Sequence, residues 1–146
     1  VAALGEIADE QGEHERAAER SAACLAVFEE LGDARRVASY HCRLARLALA
    51  RGAPEQAVAQ LRKGVLGAAT YAGDQGDWGH VAFVLGAAAA LGVEHAGPHG
   101  AVAQGYHDQL VATAGAQLSA ADFAERWSAG ERAPHGDLIR AILDRV

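Results

Sequence analysis

The sequence has no methionine and no asparagine, a single lysine (Lys63), two cysteines, three prolines and few aromatics (two Trp, three Tyr and three Phe). Each scarcity excludes something. There is no uninterrupted apolar run of about 18 residues, so no transmembrane helix is expected. The longest candidate, Val81 to Val93, is too short and rich in Ala and Gly. Cys24 and Cys42 make neither a disulfide scaffold nor a zinc-binding set, which points to a reducing cytoplasm. The first residues, Val-Ala-Ala-Leu-Gly-Glu, lack the basic segment and apolar run of a signal peptide. With no Met anywhere, the chain is expected to be a piece of a longer protein or a processed product. Basic residues are also short: 13 Lys and Arg stand against 19 Asp and Glu, a net charge of −6, with the two signs interspersed. Phosphate contacts need concentrated positive charge, so nucleic-acid binding is not expected. The doublets Arg35-Arg36 and Arg62-Lys63 read as solvated helix faces.

Alanine is what is abundant, with 36 of 146 residues, followed by 17 glycines. At 51% apolar and 22% charged the chain is too hydrophobic to be disordered, and its length suits one domain. Alanine richness with few aromatics predicts helices packed closely through small side chains.

An internal repeat organises the chain. At an offset of 40, Leu4, Ile7, Ala8, Gly12, Glu15 and Ala17 fall on Leu44, Leu47, Ala48, Gly52, Glu55 and Ala57. At an offset of 44, Gly32-Asp33 and Val37 fall on Gly76-Asp77 and Val81. Each unit reads as two helices. A first helix carries Leu4, Ile7, Ala8 and Gln11 and ends at Gly12. A second carries the stripe Ala17, Ala18, Ser21, Cys24, Leu25 and Phe28 and ends at Gly32. Asp33 then caps a third, whose buried face is expected at Val37, Tyr40, His41, Leu44, Leu47 and Ala48, with Gly52 as its stop. Pro54 opens a fourth, with Ala57, Val58, Leu61, Val65 and Ala68, and Asp77 caps a fifth that runs to Gly92. Residues 93 to 100 read as a connector, and a sixth helix spans about Pro98 to Leu118. Ser119 with Asp122 opens a short helix bearing Phe123 and Trp127 that Gly130 terminates, and Pro134 begins the last, with Leu138, Ile139, Ile142 and Leu143 buried. The expectation is all-α: about eight helices, with repeats at about 1–32, 33–75 and 76–118 and a cap at 119–146.

The frames Leu4-Gly5…Ala8…Ala17 and Leu44-Ala45…Ala48…Ala57, with Leu61 and Gly64, resemble tetratricopeptide repeats. The run Leu85-Gly86-Ala87-Ala88-Ala89-Ala90-Leu91-Gly92, followed by Pro98, Tyr106, Leu118, Phe123, Trp127 and Gly130, resembles the C-terminal region of bacterial signal-transducing ATPases and LuxR- or AfsR-type transcriptional regulators. That resemblance implies a superhelix of antiparallel helix pairs closed by a capping helix pair. It further implies a non-catalytic interaction or sensor scaffold within a multidomain regulator. The chain has no Gly-x-x-x-x-Gly-Lys-Ser/Thr loop, so a nucleotide site would lie elsewhere in such a protein. A free-standing adaptor that binds a peptide or self-associates is the alternative.

No residue pattern converges on catalysis, and neither a cofactor nor a metal is expected. His95 and His99 are separated by Gly97-Pro98, which breaks the helix that would align them. His41 and Cys42 are adjacent and so face different ways. A nucleophilic pair would also need an orienting third group, and His41 reads as a packed, hydrogen-bonded core histidine. Asp74 and Asp77 with Trp78 could suggest acid–base work, but Asp77 is better explained as a helix cap. Phe123 and Trp127 read as a plug over the open end of the repeat stack. Binding is expected in the groove lined by the first helix of each pair, on exposed residues drawn from Glu6, Asp9, Glu10, Tyr40, Arg43, Arg46 and His80. The partner is expected to be a protein or peptide, with other domains of the same chain and a second copy included. Membrane contact is not expected.

Overall fold

A left-handed glycine followed directly by a helix-capping residue both stops one helix and starts the next, and this pairing sets the architecture. The computed structural model describes the backbone of residues 2–93 and 100–146, and side chains from residue 12 onward within those spans. It contains α1 (Ala2–Leu31), α2 (Ala34–Ala50), α3 (Pro54–Asp74), α4 (Trp78–Leu91), α5 (Gly100–Gln117), α6 (Ala120–Arg132) and α7 (His135–Leu143). The described residues include no strand, and no helix among them is long and apolar enough to cross a membrane.

The repeat seen at an offset of 44 is a repeat of turns. Gly32 and Gly76 have φ of 68° and 74°, a region only glycine enters without a Cβ clash. Behind each, the N–H of the next residue, an aspartate, closes onto the helix just ended: Asp33 N–H donates to Phe28 O at 3.0 Å, and Asp77 N–H to Ala72 O at 2.9 Å. Each aspartate side chain then accepts from the helix just begun, from Arg36 N–H at 3.1 Å and from His80 N–H at 3.3 Å. As expected, Pro54 stands at the first position of α3 and Ser119 caps α6, with Asp122 N–H donating to Ser119 Oγ at 3.1 Å.

Two expected stops are not stops, and the first of them, by merging two helices into α1, reduces eight helices to seven among the described residues. Gly12 lies within α1, because Glu13-His14-Glu15-Arg16 supply neither a cap nor a proline to restart a helix. An interior glycine costs about 1 kcal/mol but does not itself end a helix. Gly130 lies within α6, which ends instead before Pro134; Ala133 takes the extended conformation that a proline imposes on the residue before it.

Small residues decide which helices touch. Gly64 and Gly67 of α3 bring its backbone against α2, where an added Cβ on Gly64 would sit 3.1 Å from His41 Cβ. The buried face of α2 is therefore Ala38, Ser39, His41, Cys42, Ala45 and Ala48, while Val37, Leu44 and Leu47, expected in the core, are half-buried. The α1 stripe expected from Ala17 to Phe28 is likewise the half-buried one. At the far side, Gly86 of α4 lies against the backbone of Trp127, and Gly130 of α6 against the backbone of Phe83 and Ala87. This reciprocal glycine crossing makes α6 the main partner of α4 after the turn. It displaces the expected pairing of α4 with α5, which contributes only Gly100 and Ala114 as buried residues. Phe123 and Trp127 stack at 5.6 Å and pack, half-buried, on the core.

The chain then folds back. Leu138, Ile139 and Ile142 of α7 are buried, each side chain contributing about 2 kcal/mol or more by removal from water. They dock α7 against α2, α3 and α4. Gly136, Ile139 and Leu143 share a cleft with Arg46 and Leu49 at the end of α2, whereas Val146 lies beside Ser39 and Tyr40 nearer its start. α7 thus runs antiparallel to α2.

Candidate functional site

α2 carries Arg35, Arg36, Arg43 and Arg46 and no carboxylate, in a chain whose net charge is −6. Arg36, Tyr40 and Arg43 are spaced i, i+4, i+7 and so lie on one helix face. Across from them, α1 presents Phe28. The Phe28 and Tyr40 rings stack with centroids 5.6 Å apart and planes 19° apart. The Arg36 guanidinium lies 5.0 Å from the Phe28 centroid, and that of Arg43 lies 4.9 Å from Tyr40. Arg35 rests over Tyr71 of α3 at 5.6 Å. Phe28, Tyr40 and the three arginines, with Ser39 and Val146, line an open depression of about 380 Å³. All three arginines are exposed.

Of the four expected contact residues whose side chains are described, Tyr40 and Arg43 belong to this depression. Arg46 is exposed but stands one turn further on, beside α7, where Arg140 and Asp144 share its cleft. His80 corrects the expectation: it is 5% exposed and cannot serve as a surface contact. Its ring lies 6.0 Å from that of Phe83. Burial lowers its pKa to about 4, the Arg145 charge pushes the same way, Asp77 opposes them, and Arg126 adds a further depression. The imidazole is therefore neutral near pH 7. Asp77, beside it, accepts from Arg145 Nε at 3.0 Å and so ties the end of α7 to the start of α4. Burial raises the Asp77 carboxyl, but the Arg145 bond and the His80 N–H outweigh it and hold it below its ordinary value. The side chains of Glu6, Asp9 and Glu10 lie outside the described residues, as do His95 and His99.

The remaining candidates take structural places. His41 is buried, with Nδ1 2.8 Å from Gln60 Oε1, as expected of a hydrogen-bonded core histidine. Burial pushes the neighbouring Cys42 thiol up to about 12, which keeps it protonated and poorly nucleophilic. Asp77 is the α4 cap. Asp74 and Trp78 line a second hollow, about 340 Å³, against Tyr106 and Gln109 of α5. No group of three His, Cys, Asp or Glu among the described residues could hold a metal ion.

Two groups depart from the sequence expectation. Arg62 is not merely solvated: its Nε donates to Leu91 O at 2.7 Å and satisfies a carbonyl at the end of α4. Arg35 and Arg36 belong to the depression rather than to an idle surface. The signal for them is the charge of one helix, four arginines without an acid, which the acidic whole-chain total conceals.

Set against family models, curated proteins and solved structures, the chain matches none.

Proposed function

We propose that this chain is a non-catalytic interaction scaffold that receives a protein or peptide segment on the exposed face of α2. The observation that carries the reading is the joint placement of Tyr40 and Arg43. Both border an open depression on a helix with no carboxylate of its own, and α7 covers the ground next to it without filling it. Tyr and Arg are the side chains most often responsible for binding energy at protein interfaces, because each combines apolar area with directed hydrogen bonds. In this reading the helix pairs form a tetratricopeptide-like stack, and the module serves a multidomain bacterial transcriptional regulator of the kind its sequence resembles. The turns at Gly32-Asp33 and Gly76-Asp77 support repeated units. A free-standing adaptor would use the same face.

The test is affinity capture from the source cell with the natural chain and with a Tyr40→Ala, Arg43→Ala double variant, both checked for an unchanged melting curve. A protein retained by the natural chain and released by the double variant is the expected result. Identical sets of retained proteins would overturn the reading.

A further inference from the structure

We infer that the α2 depression recognises an acidic segment of a partner protein, through two carboxylates held about 10 Å apart. This rests on the reading of α2 as a partner face and adds the chemistry of what binds there.

The argument begins with the arginines' surroundings. A guanidinium held over a ring by cation–π attraction still has N–H groups for hydrogen bonding, and their fork matches the two oxygens of a carboxylate. The guanidinium carbons of Arg36, Arg43 and Arg35 lie 5.0, 4.9 and 5.6 Å from the ring centroids of Phe28, Tyr40 and Tyr71, within cation–π range. Ring contact also reduces the side-chain freedom lost on binding. Among the described residues the three share one carboxylate: Asp33 stands 3.7 Å from Arg36, and no ion pair joins a described carboxylate to Arg35 or Arg43. A net-negative protein that gathers positive charge on one helix and leaves it largely uncompensated attracts negative ligands there and repels them elsewhere.

Spacing selects among anions. Arg36 and Arg43 are seven residues apart, about 10 Å along the helix axis, and the stacked rings of Phe28 and Tyr40 stand between them. A single phosphate, only a few ångströms across, cannot bridge both. Two acidic side chains three residues apart on a polyproline II segment, which turns once every three residues, share one side and are about 9 Å apart, and two separated by seven residues on a helix are about 10 Å apart. The apolar ring pair between the guanidiniums would pack against the residues linking the two acids.

The probe is a fluorescein-labelled Gly/Ser peptide bearing two aspartates three residues apart, followed by fluorescence anisotropy with the whole chain. Controls are the same peptide with two asparagines, and one with adjacent aspartates. The inference expects the spaced aspartate peptide to bind at least tenfold more tightly than either control. Arg43→Gln and Arg36→Gln should each weaken it about tenfold, Lys63→Gln should leave it unchanged, and Arg43→Lys should restore less than half of the loss, because an ammonium cannot make the paired contact. Melting curves of the variants separate lost contacts from lost folding. Equal binding of the asparagine peptide, or indifference to Arg43→Gln, would overturn the inference. So would competition by inorganic phosphate at lower concentration than by the unlabelled peptide, which would assign the arginines to a simple oxyanion. If affinity capture depends on Tyr40 and Arg43 while the acidic peptide does not bind, only this inference falls; if capture shows no such dependence, the reading beneath it falls as well.

Discussion

α2 and α4 begin alike and end up with opposite roles. Each comes after a left-handed glycine, each is capped by an aspartate whose side chain accepts from the third residue on, and each runs along α3. Yet α4 is buried around most of its girth, from His80 through Leu91, whereas α2 buries one narrow small-residue face and leaves four arginines outside. Equal turn chemistry therefore fixes where a helix starts and says nothing about which side chains stay accessible. That is decided by later parts of the chain: α6 covers α4 through the Gly86–Gly130 crossing, and α7 covers only part of α2. Tyr40 is left half-buried and the arginines of α2 exposed, and the histidine of α4 is taken into the interior.

The sharpest way to break this contrast is at the glycine crossing. A methyl on Gly130 would run into the Phe83 backbone, which cannot step aside as a side chain can. Gly130→Ala is expected to destabilise by about 3 kcal/mol or more, with loss of the cooperative urea transition at the extreme. An unchanged midpoint would mean that α6 does not seat on α4 in this way. Next in size is Ile142→Ala, which empties a fully buried site under α7 and should cost about 3 kcal/mol in the same assay.

Acidification probes His80 more gently. Its pKa is about 4 in the fold and near 6.5 when unfolded. Between those values the unfolded chain binds the extra proton, so this contribution is complete above about pH 6.5 and is lost as pH falls toward 4. The loss is at most about 3 kcal/mol. It should show as a steeper fall of melting temperature with acid in the natural chain than in His80→Gln, and parallel curves would contradict the buried, neutral imidazole. The smallest effect is expected at the Asp77–Arg145 pair, which is partly exposed on both sides. Arg145→Ala should cost about 0.5 kcal/mol, and less in high salt.

The residues readable from sequence are those whose effect is local. The caps Asp33, Asp77 and Ser119, and Pro54 at a first helical position, act within one turn of their own place, so the helix starts can be read directly. The stripe from Ala17 to Phe28 is legible too, because helical period alone places it. Gly12 and Gly130 are not legible, because a glycine's role depends on its successors in the chain and on the elements packed against it. Gly12 lacks a restart signal, and Gly130 serves a contact with residues more than 40 positions earlier. The same limit applies to the candidate site. Tyr40 and Arg43 emerge from asking which helix faces outward, but the ring of Phe28 that links Arg36 to Tyr40 comes from α1 and has no sequence signature. His80 is missed for the complementary reason: the start of α4 looks exposed until α7 folds back and Arg145 reaches Asp77.

The most direct measurement is site-specific photo-crosslinking in the source cell, with the reactive group placed at position 43 on α2 or at position 89 on the outer side of α4. The account predicts a discrete adduct from position 43 that competes away with added unlabelled chain, and none of matching mass from position 89. The same adduct from both positions, or one from position 89 alone, would contradict the assignment of partner recognition to α2.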